Sequence, residues 1–514
     1  MRKQQTNFLV RLAKRATKGS IRALAYGLVG GLLILVVGFV LYLNSKPEPK
    51  VWHKAQLDTE FRATLPVHSF EDYLALENRL FAQLDEKVYA KIETKDKHQI
   101  NRYHHGSLSD PSRWPTNWNR SFELPYSTPS AGVLLLHGMS DSPYSLRSLG
   151  QRLNAGGAWV VGLRVPGHGT VPSGLVHVQW EDMASAVRLA MHHLHKKVGE
   201  RPLYIVGYSN GGALAVLYTL SALEDTSLAL PDRLVLISPE IGVTKLAALA
   251  AWQERLGHLL GLRKLSWNSI GVEYDPFKYQ SFALNAGKQA YRLTAEIQSR
   301  MTRLVPTGAL TRFPPVLAFQ SVVDATVSVP ALVQRFFEKL PQGEHELVLF
   351  DINLLSRIEP VLKSAPREEM ATLLRNAERL FALTLVTNEN ENSRKVIAKH
   401  WRPGDDEGTV SALDLAWPDR LYSLSHVALP FPEDDPLYGH IDTGTNPGIR
   451  LGNLAPRGER GILRISAADM LRLRWNPFYT YLERRVLEFT RLEARSQDAT
   501  EDHVLSEQEH KPEI

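Results

Sequence analysis

The segment Leu203-Tyr-Ile-Val-Gly-Tyr-Ser-Asn-Gly-Gly212 carries the strongest chemical signal in the chain. Ser209 stands between Gly207 and Gly211, with an apolar, strand-like run before it and a helix-like run, Ala213–Leu220, after it. A G-x-S-x-G motif in that context makes a sharp strand-to-helix turn, which lifts the serine hydroxyl above a sheet edge as a nucleophile. The two glycines keep side chains out of the tight crossing, and the helix start brings its positive dipole end beneath the serine. A serine hydroxyl is a weak nucleophile unless an adjacent base takes its proton. The sequence must therefore also supply a histidine, a residue to orient it, and N–H donors for an oxyanion.

Val133-Leu-Leu-Leu-His-Gly-Met139, an apolar strand ending in His-Gly upstream of the serine, suits a loop that supplies half of an oxyanion hole. The backbone N–H groups of Met139 and Asn210 are the expected donors. Each contributes a few kcal/mol because it is preorganised toward charge that exists only in the transition state. His137 precedes the turn and reads as a turn-stabilising side chain rather than a base.

The order His137-Gly, then Arg164-Val-Pro-Gly-His-Gly169, Trp180-Glu-Asp-Met and Gly207-Tyr-Ser-Asn-Gly-Gly resembles the α/β-hydrolase superfamily. The resemblance is to the branch of monoacylglycerol lipases, bacterial carboxylesterases and serine aminopeptidase S33-type hydrolases. It covers about residues 130–350 and resumes near 420–440. His168 falls in the family's Pro-Gly-His-Gly turn, which shapes a loop and does no chemistry. The resemblance implies the chain order serine, acid, histidine. For the acid it implies Asp324, in the loop after Pro315-Val-Leu-Ala-Phe-Gln, with Asp351 at the end of the next strand as the alternative. For the base it implies His426, in Leu421-Tyr-Ser-Leu-Ser-His-Val, which is similar to the family's Ser-x-His-Val segment. The chain departs from the pattern in the roughly hundred residues between Asp324 and His426, an excess attributed to an insertion at 353–417. His400 and His440 are alternatives outside such a segment, and His345 precedes the last expected strand at the wrong end of the sheet.

Other chemistries find little support. There is no cysteine, which removes disulfides, thiolate nucleophiles and Cys-ligated zinc. His192, His193 and His195, and the pair His104-His105, have no acidic or further His partners at zinc spacing, so no metal is expected. Gly207–Gly212 fails G-x-G-x-x-G and no P-loop is present, so no cofactor is expected either. Epoxide hydrolases and dehalogenases place a carboxylate where Ser209 stands. The net charge of +5 resides in residues 1–50, which carry nine Lys or Arg against Glu48 alone; the body is slightly acidic and no nucleic-acid partner is expected.

These groups have to be positioned by alternating strands and helices. The short apolar runs Val133–Leu136, Trp159–Leu163, Leu203–Val206, Leu234–Ile237, Val316–Phe319 and Glu346–Phe350, separated by helix-period segments, predict a mainly parallel sheet covered on both faces. The expected organisation is a basic tail over 1–22, an apolar anchor over 23–43, and a linker with a helical extension over 44–121. An α/β-hydrolase domain follows over 122–490, and 491–514 form a charged, disordered tail. Residues 68–92 predict an amphipathic helix. Residues 240–312, with Trp252, Trp267, Tyr274, Phe277, Tyr279 and Phe282, predict a helical cap. The insertion at 353–417 predicts a helix near 367–386 and a polar stretch at Asn388–Asn392.

Ala23–Leu43 is 21 uncharged residues, long enough to span a bilayer core of about 30 Å. Seven basic residues precede it, which predicts a single-pass protein with a cytoplasmic N-terminus and the catalytic domain on the far side, periplasmic if bacterial. Ala23, Gly27 and Gly31 recur as a small-residue stripe that suggests a homodimer through this helix. The function expected is a membrane-anchored serine esterase acting on hydrophobic or lipid-like acyl esters. An amidase, peptidase or acyltransferase using the same residues, and a binding or scaffold protein on an inactive hydrolase fold, are the alternatives.

Overall fold

The computed structural model describes residues 26–492 except 29, 32, 35–36, 39, 43, 242–262, 363–365, 376–377, 453 and 455–462. Its centre is a ten-stranded sheet in the order β1-β3-β2-β4-β5-β8-β9-β10-β11-β12. In chain order these are β1 (Phe122–Leu124), β2 (Ala131–Leu136), β3 (Ala158–Leu163), β4 (Leu203–Tyr208), β5 (Arg233–Ile237), β8 (Val316–Ser321), β9 (His345–Phe350), β10 (Ala382–Asn388), β11 (Lys395–Trp401) and β12 (Thr409–Ala416). A separate two-stranded ribbon pairs β6 (Trp267–Ser269) with β7 (Phe282–Ala283). From β3 through β10 neighbouring strands run parallel, while β1, β11 and β12 are antiparallel to theirs. The six apolar runs found in the sequence coincide with β2, β3, β4, β5, β8 and β9.

Two cores sandwich this sheet, because successive side chains of a strand point to opposite faces. Leu134 and Leu136 of β2 join one core and Val133 and Leu135 the other. The helices packed on these cores include α1 (Phe70–Lys87), α2 (Arg147–Ala155), α3 (Trp180–Val198), α4 (Asn210–Glu224), α5 (Leu284–Leu304) and α6 (Tyr479–Thr490). α3, α4 and α5 bury their apolar faces in the first core, and α2 and α6 in the second. α1 starts at Ser69, whose hydroxyl accepts from the Asp72 N–H at 3.0 Å, and lays Phe70, Tyr73 and Leu76 on the first core. A buried ion cluster ties this extension to the body: Arg164, after β3, contacts Glu60 at 2.9 Å and Glu77 of α1 at 3.0 Å.

Three expectations are corrected. The helix forecast over 367–386 stops at Leu374, and Ala382–Asn388 is a strand instead. Thr384, Val386 and Thr387 are β-branched residues that fit a pleated surface better than a helix. The expected second insertion at 353–417 adds β10, β11 and β12 to the central sheet, so β9 is not the last strand. The second correction concerns 240–312. Trp252 lies outside the described residues, but Trp267, Tyr274, Phe277 and Tyr279 are buried in the body, and α5 packs on α4 as a sheet-covering helix. The described part is thus not largely helical throughout, since it includes the β6–β7 ribbon, and its aromatics pack in buried clusters; residues 242–262 of the expected cap lie outside the described residues.

The third correction concerns the anchor. Among the described residues no helix is long and apolar enough to cross a membrane, whereas a crossing needs about 20 consecutive, predominantly apolar residues. The expected single-pass protein, with a membrane-crossing helix over 23–43 and its catalytic domain on the far side, is not supported, nor is the homodimer built on that helix. The basic tail 1–22, Ala23 and residues 493–514 lie outside the described residues.

Candidate active site

Ser209 lies between the last residue of β4 and the first of α4 with φ +54° and ψ −117°. A non-glycine residue in this region is strained, and such strain concentrates at functional sites. The surroundings hold it there. The Ser209 N–H donates to the Ile237 carbonyl at 2.9 Å, and the Ser209 carbonyl accepts from the Glu240 N–H at 2.9 Å. A Cβ at Gly211 would sit 2.0 Å from the Leu136 carbonyl oxygen, so only glycine lets α4 approach β2 this closely.

The three residues proposed from the sequence converge here. The Ser209 hydroxyl reaches His426 Nε2 at 3.1 Å, and His426 Nδ1–H donates to Asp324 Oδ2 at 2.8 Å. Asp324 also accepts from the N–H groups of Thr326 at 2.8 Å and Val327 at 3.0 Å, and its side chain is fully buried. Burial pushes its carboxyl up, yet the charge and hydrogen bond of His426 together with the two peptide donors outweigh this and hold it below the ordinary carboxylate value.

His426 begins a short turn (His426–Ala428) after β12. Its loop is stitched to the ends of β8 and β9: Ser321 Oγ donates to the Leu424 carbonyl at 3.0 Å, and Asn353 donates to the carbonyls of Tyr422 and Leu421, both at 2.8 Å. The Tyr208 ring lies 5.4 Å from the imidazole. Of the two oxyanion candidates, Asn210 is the first residue of α4. Met139 follows Gly138, where a Cβ would stand 3.1 Å from that of Ser209, so this peptide runs directly beside the hydroxyl.

The alternatives are occupied elsewhere. Asp351 accepts from Thr387 Oγ1 at 2.7 Å and the Ile352 N–H at 2.8 Å, bridging β9 to β10. His400 pairs with Thr384 on β10, His440 stacks on Trp475, and His345 opens β9. His137 accepts the Val165 N–H on Nε2 at 3.0 Å, and His168 bonds to the Pro166 carbonyl, both within turns. His193 has acidic partners that its helix spacing could not reveal. Glu71 at 3.1 Å and Glu123 at 2.9 Å come from α1 and β1, and the contact fastens three elements together. No group of three or more candidate metal ligands occurs among the described residues.

One nearby acid escapes the sequence reading. Glu240, just beyond β5, has a buried Oε2 with no hydrogen-bond partner, and its carboxyl is pushed up to about 7 by burial and then by the charge of Asp324. The available signal was an acid in Ile-Ser-Pro-Glu240, at a strand end beside the nucleophile turn.

Part of the chain is similar to known proteins. Residues 127–352 match the family model for serine aminopeptidase, S33. A thermostable monoacylglycerol lipase of Bacillus sp. (strain H-257) is 25% identical over 219 residues, spanning 42% of this chain and 79% of the lipase. Among solved structures, the monoacylglycerol lipase of Paleococcus ferrophilus is 19% identical with TM-score 0.34, over 45% of this chain and 89% of that one. A soluble variant of monoglyceride lipase from Saccharomyces cerevisiae is 16% identical with TM-score 0.34, over 45% and 82%. The chain is a serine hydrolase of the α/β-hydrolase fold. Within that class its similarity is to the S33 hydrolases, of the monoacylglycerol lipase and esterase kind.

Proposed function

We propose that the protein hydrolyses carboxylic esters with hydrophobic, lipid-like acyl groups through Ser209, His426 and Asp324. His426 Nε2 takes the Ser209 proton as Oγ attacks the acyl carbonyl, and the N–H groups of Met139 and Asn210 receive the oxyanion. Asp324 fixes the tautomer and stabilises the imidazolium. The alcohol leaves with the proton from His426, and water, activated by the same imidazole, then releases the acid and restores the serine. The observation that carries this reading is the unbroken pair of contacts, 3.1 Å from Ser209 to His426 and 2.8 Å from His426 to Asp324. The substrate class rests on the similarity to a monoacylglycerol lipase.

Fluorophosphonate labelling of the full chain tests the nucleophile. Wild type should label, and Ser209→Ala should neither label nor turn over p-nitrophenyl esters, with kcat lowered by about a million-fold. Labelling that survives in Ser209→Ala would sink the assignment. A series of ester chain lengths then tests the substrate class, with rates expected to rise from acetyl toward longer acyl groups. An amide-cleaving reading is favoured by the serine aminopeptidase match alone. Faster turnover of aminoacyl p-nitroanilides than of any ester would replace the ester reading with it.

A further inference from the structure

The loop after β2 is gripped at three points by Asp275–Tyr279, a segment of the chain between β6 and β7. Ser140 has φ +62°, and its carbonyl accepts the Tyr279 N–H at 2.8 Å. The Asp141 side chain is buried and receives the Lys278 ammonium at 3.2 Å. The ring of Tyr144, three residues on, stacks on Phe277 with centroids 4.3 Å apart and planes 11° from parallel. The gripping segment is itself anchored. Asp275 accepts from the N–H groups of Phe277 at 3.0 Å and Lys278 at 3.1 Å and from the Tyr438 hydroxyl at 2.7 Å. Asn119 Nδ2 donates to the Pro276 carbonyl at 3.0 Å, and the Tyr279 hydroxyl accepts the Thr170 N–H at 2.7 Å.

A left-handed serine persists only where its surroundings over-determine it. The loop itself supplies the Asp141 carboxylate with the Ser142 N–H at 2.9 Å; Tyr279 and Lys278 add partners for the Ser140 carbonyl and the Asp141 carboxylate from outside the loop. We propose that Asp275–Tyr279 is a clamp on the oxyanion loop, with Lys278 as a positioning residue that holds the Met139 N–H at the place where negative charge develops beside Ser209. This rests on the ester-hydrolase reading above, since it assigns Met139 to the oxyanion. Lys278 touches Asp141 rather than substrate, so its effect belongs to the transition state and not to ground-state binding. A donor misplaced by a fraction of an ångström loses most of its value, because preorganised donors act through fixed geometry.

The test compares Lys278→Met and Lys278→Arg with wild type in the full chain. It measures kcat, KM and the inhibition constant of a trifluoromethyl ketone that mimics the tetrahedral intermediate. The clamp predicts that Lys278→Met lowers kcat about 10- to 100-fold, leaves KM within about twofold, and weakens the ketone by the factor lost from kcat. Lys278→Arg, which keeps the charge, should recover most of both. Unchanged kcat in Lys278→Met overturns the clamp, as does a raised KM at constant kcat. Should Lys278→Met not fold, because it strands a buried carboxylate, Asp141→Asn/Lys278→Met removes both charges and is read instead. Slow turnover with weak ketone binding in that double variant supports the clamp, and wild-type turnover overturns it. A wild type that resists fluorophosphonate would remove the ester-hydrolase reading and the clamp together. An active wild type with an unaffected Lys278→Met removes the clamp alone.

Discussion

Ser209 and Asp324 follow β4 and β8, strands buried along their whole length, whereas His426 follows β12, a strand exposed at most of its positions. The two regions position their residues by different means. In the parallel part, both faces of each strand are covered, so packing fixes where the strand ends and hence where its loop begins. The antiparallel extension leaves β12 as an open edge, and its packing cannot aim a loop with the same accuracy. Hydrogen bonds from Ser321 and Asn353 carry the histidine loop back onto the ends of β8 and β9 instead. Ser209 and Asp324 are placed by the sheet; His426 is placed by stitches to that same sheet.

Substitutions on the two sides should separate these mechanisms. The largest effect is expected at Asp324, in the parallel part. Asp324→Asn should cut kcat about ten-thousandfold with little change in unfolding midpoint, as expected for a residue that orients a base. A loss below tenfold would mean that another carboxylate orients His426. Trp417, just beyond β12, is fully buried and meets Phe478 edge-on at 4.8 Å. Trp417→Ala should cost about 3–5 kcal/mol in urea unfolding. It should also lower turnover while fluorophosphonate labelling of Ser209 slows, since the histidine loop would lose its footing. Equal stability in the variant would show that the extension is not part of the cooperative fold.

A subtler effect is expected at Glu240. Its folded value of about 7 exceeds the ordinary 4.5, so the unfolded chain gives up this proton first as pH rises. Its contribution is favourable in full below pH 4.5 and is lost progressively up to about pH 7. Glu240→Gln should flatten that decline, leaving the variant more resistant to urea than wild type above pH 7 and not below pH 4.5. Parallel pH curves for the two proteins would show that the carboxyl is solvated. The smallest effect is expected at the open edge, where Val410 is 57% exposed. Val410→Lys should change stability by less than about 0.5 kcal/mol and leave turnover untouched. A larger loss would mean that β12 is covered in solution.

The same contrast explains what could be read from the sequence. The turn at Ser209 is local: strand, glycines and helix lie within twenty residues, and their spacing alone dictates the geometry. Asp324 and His426 became legible only through a resemblance, because a histidine two hundred residues away leaves no local trace of its partner. β10, β11 and β12 are hard to read although Thr384, Val386, Val396 and Val410 are β-branched, because the helical pattern at Pro366–Leu374 obscures the break that follows it. Lys278 and Tyr279 lie in the stretch whose composition predicts a cap, and nothing in their spacing points to Ser140 or Asp141. The expected anchor rests on the hydropathy of 23–43 and the basic residues before it, and the described residues contain no helix that meets its requirement.

The 217 residues separating Ser209 from His426 also set an order of assembly. As the chain leaves the ribosome, the serine turn and its glycine crossing can form long before the imidazole exists. Closing so long a loop is a late and slow event, because its entropy must be met before the contact rewards it. The Ser209 hydroxyl is therefore without the His426 imidazole throughout synthesis of the extension. On the proposed mechanism, reactivity waits for the segment that follows β12.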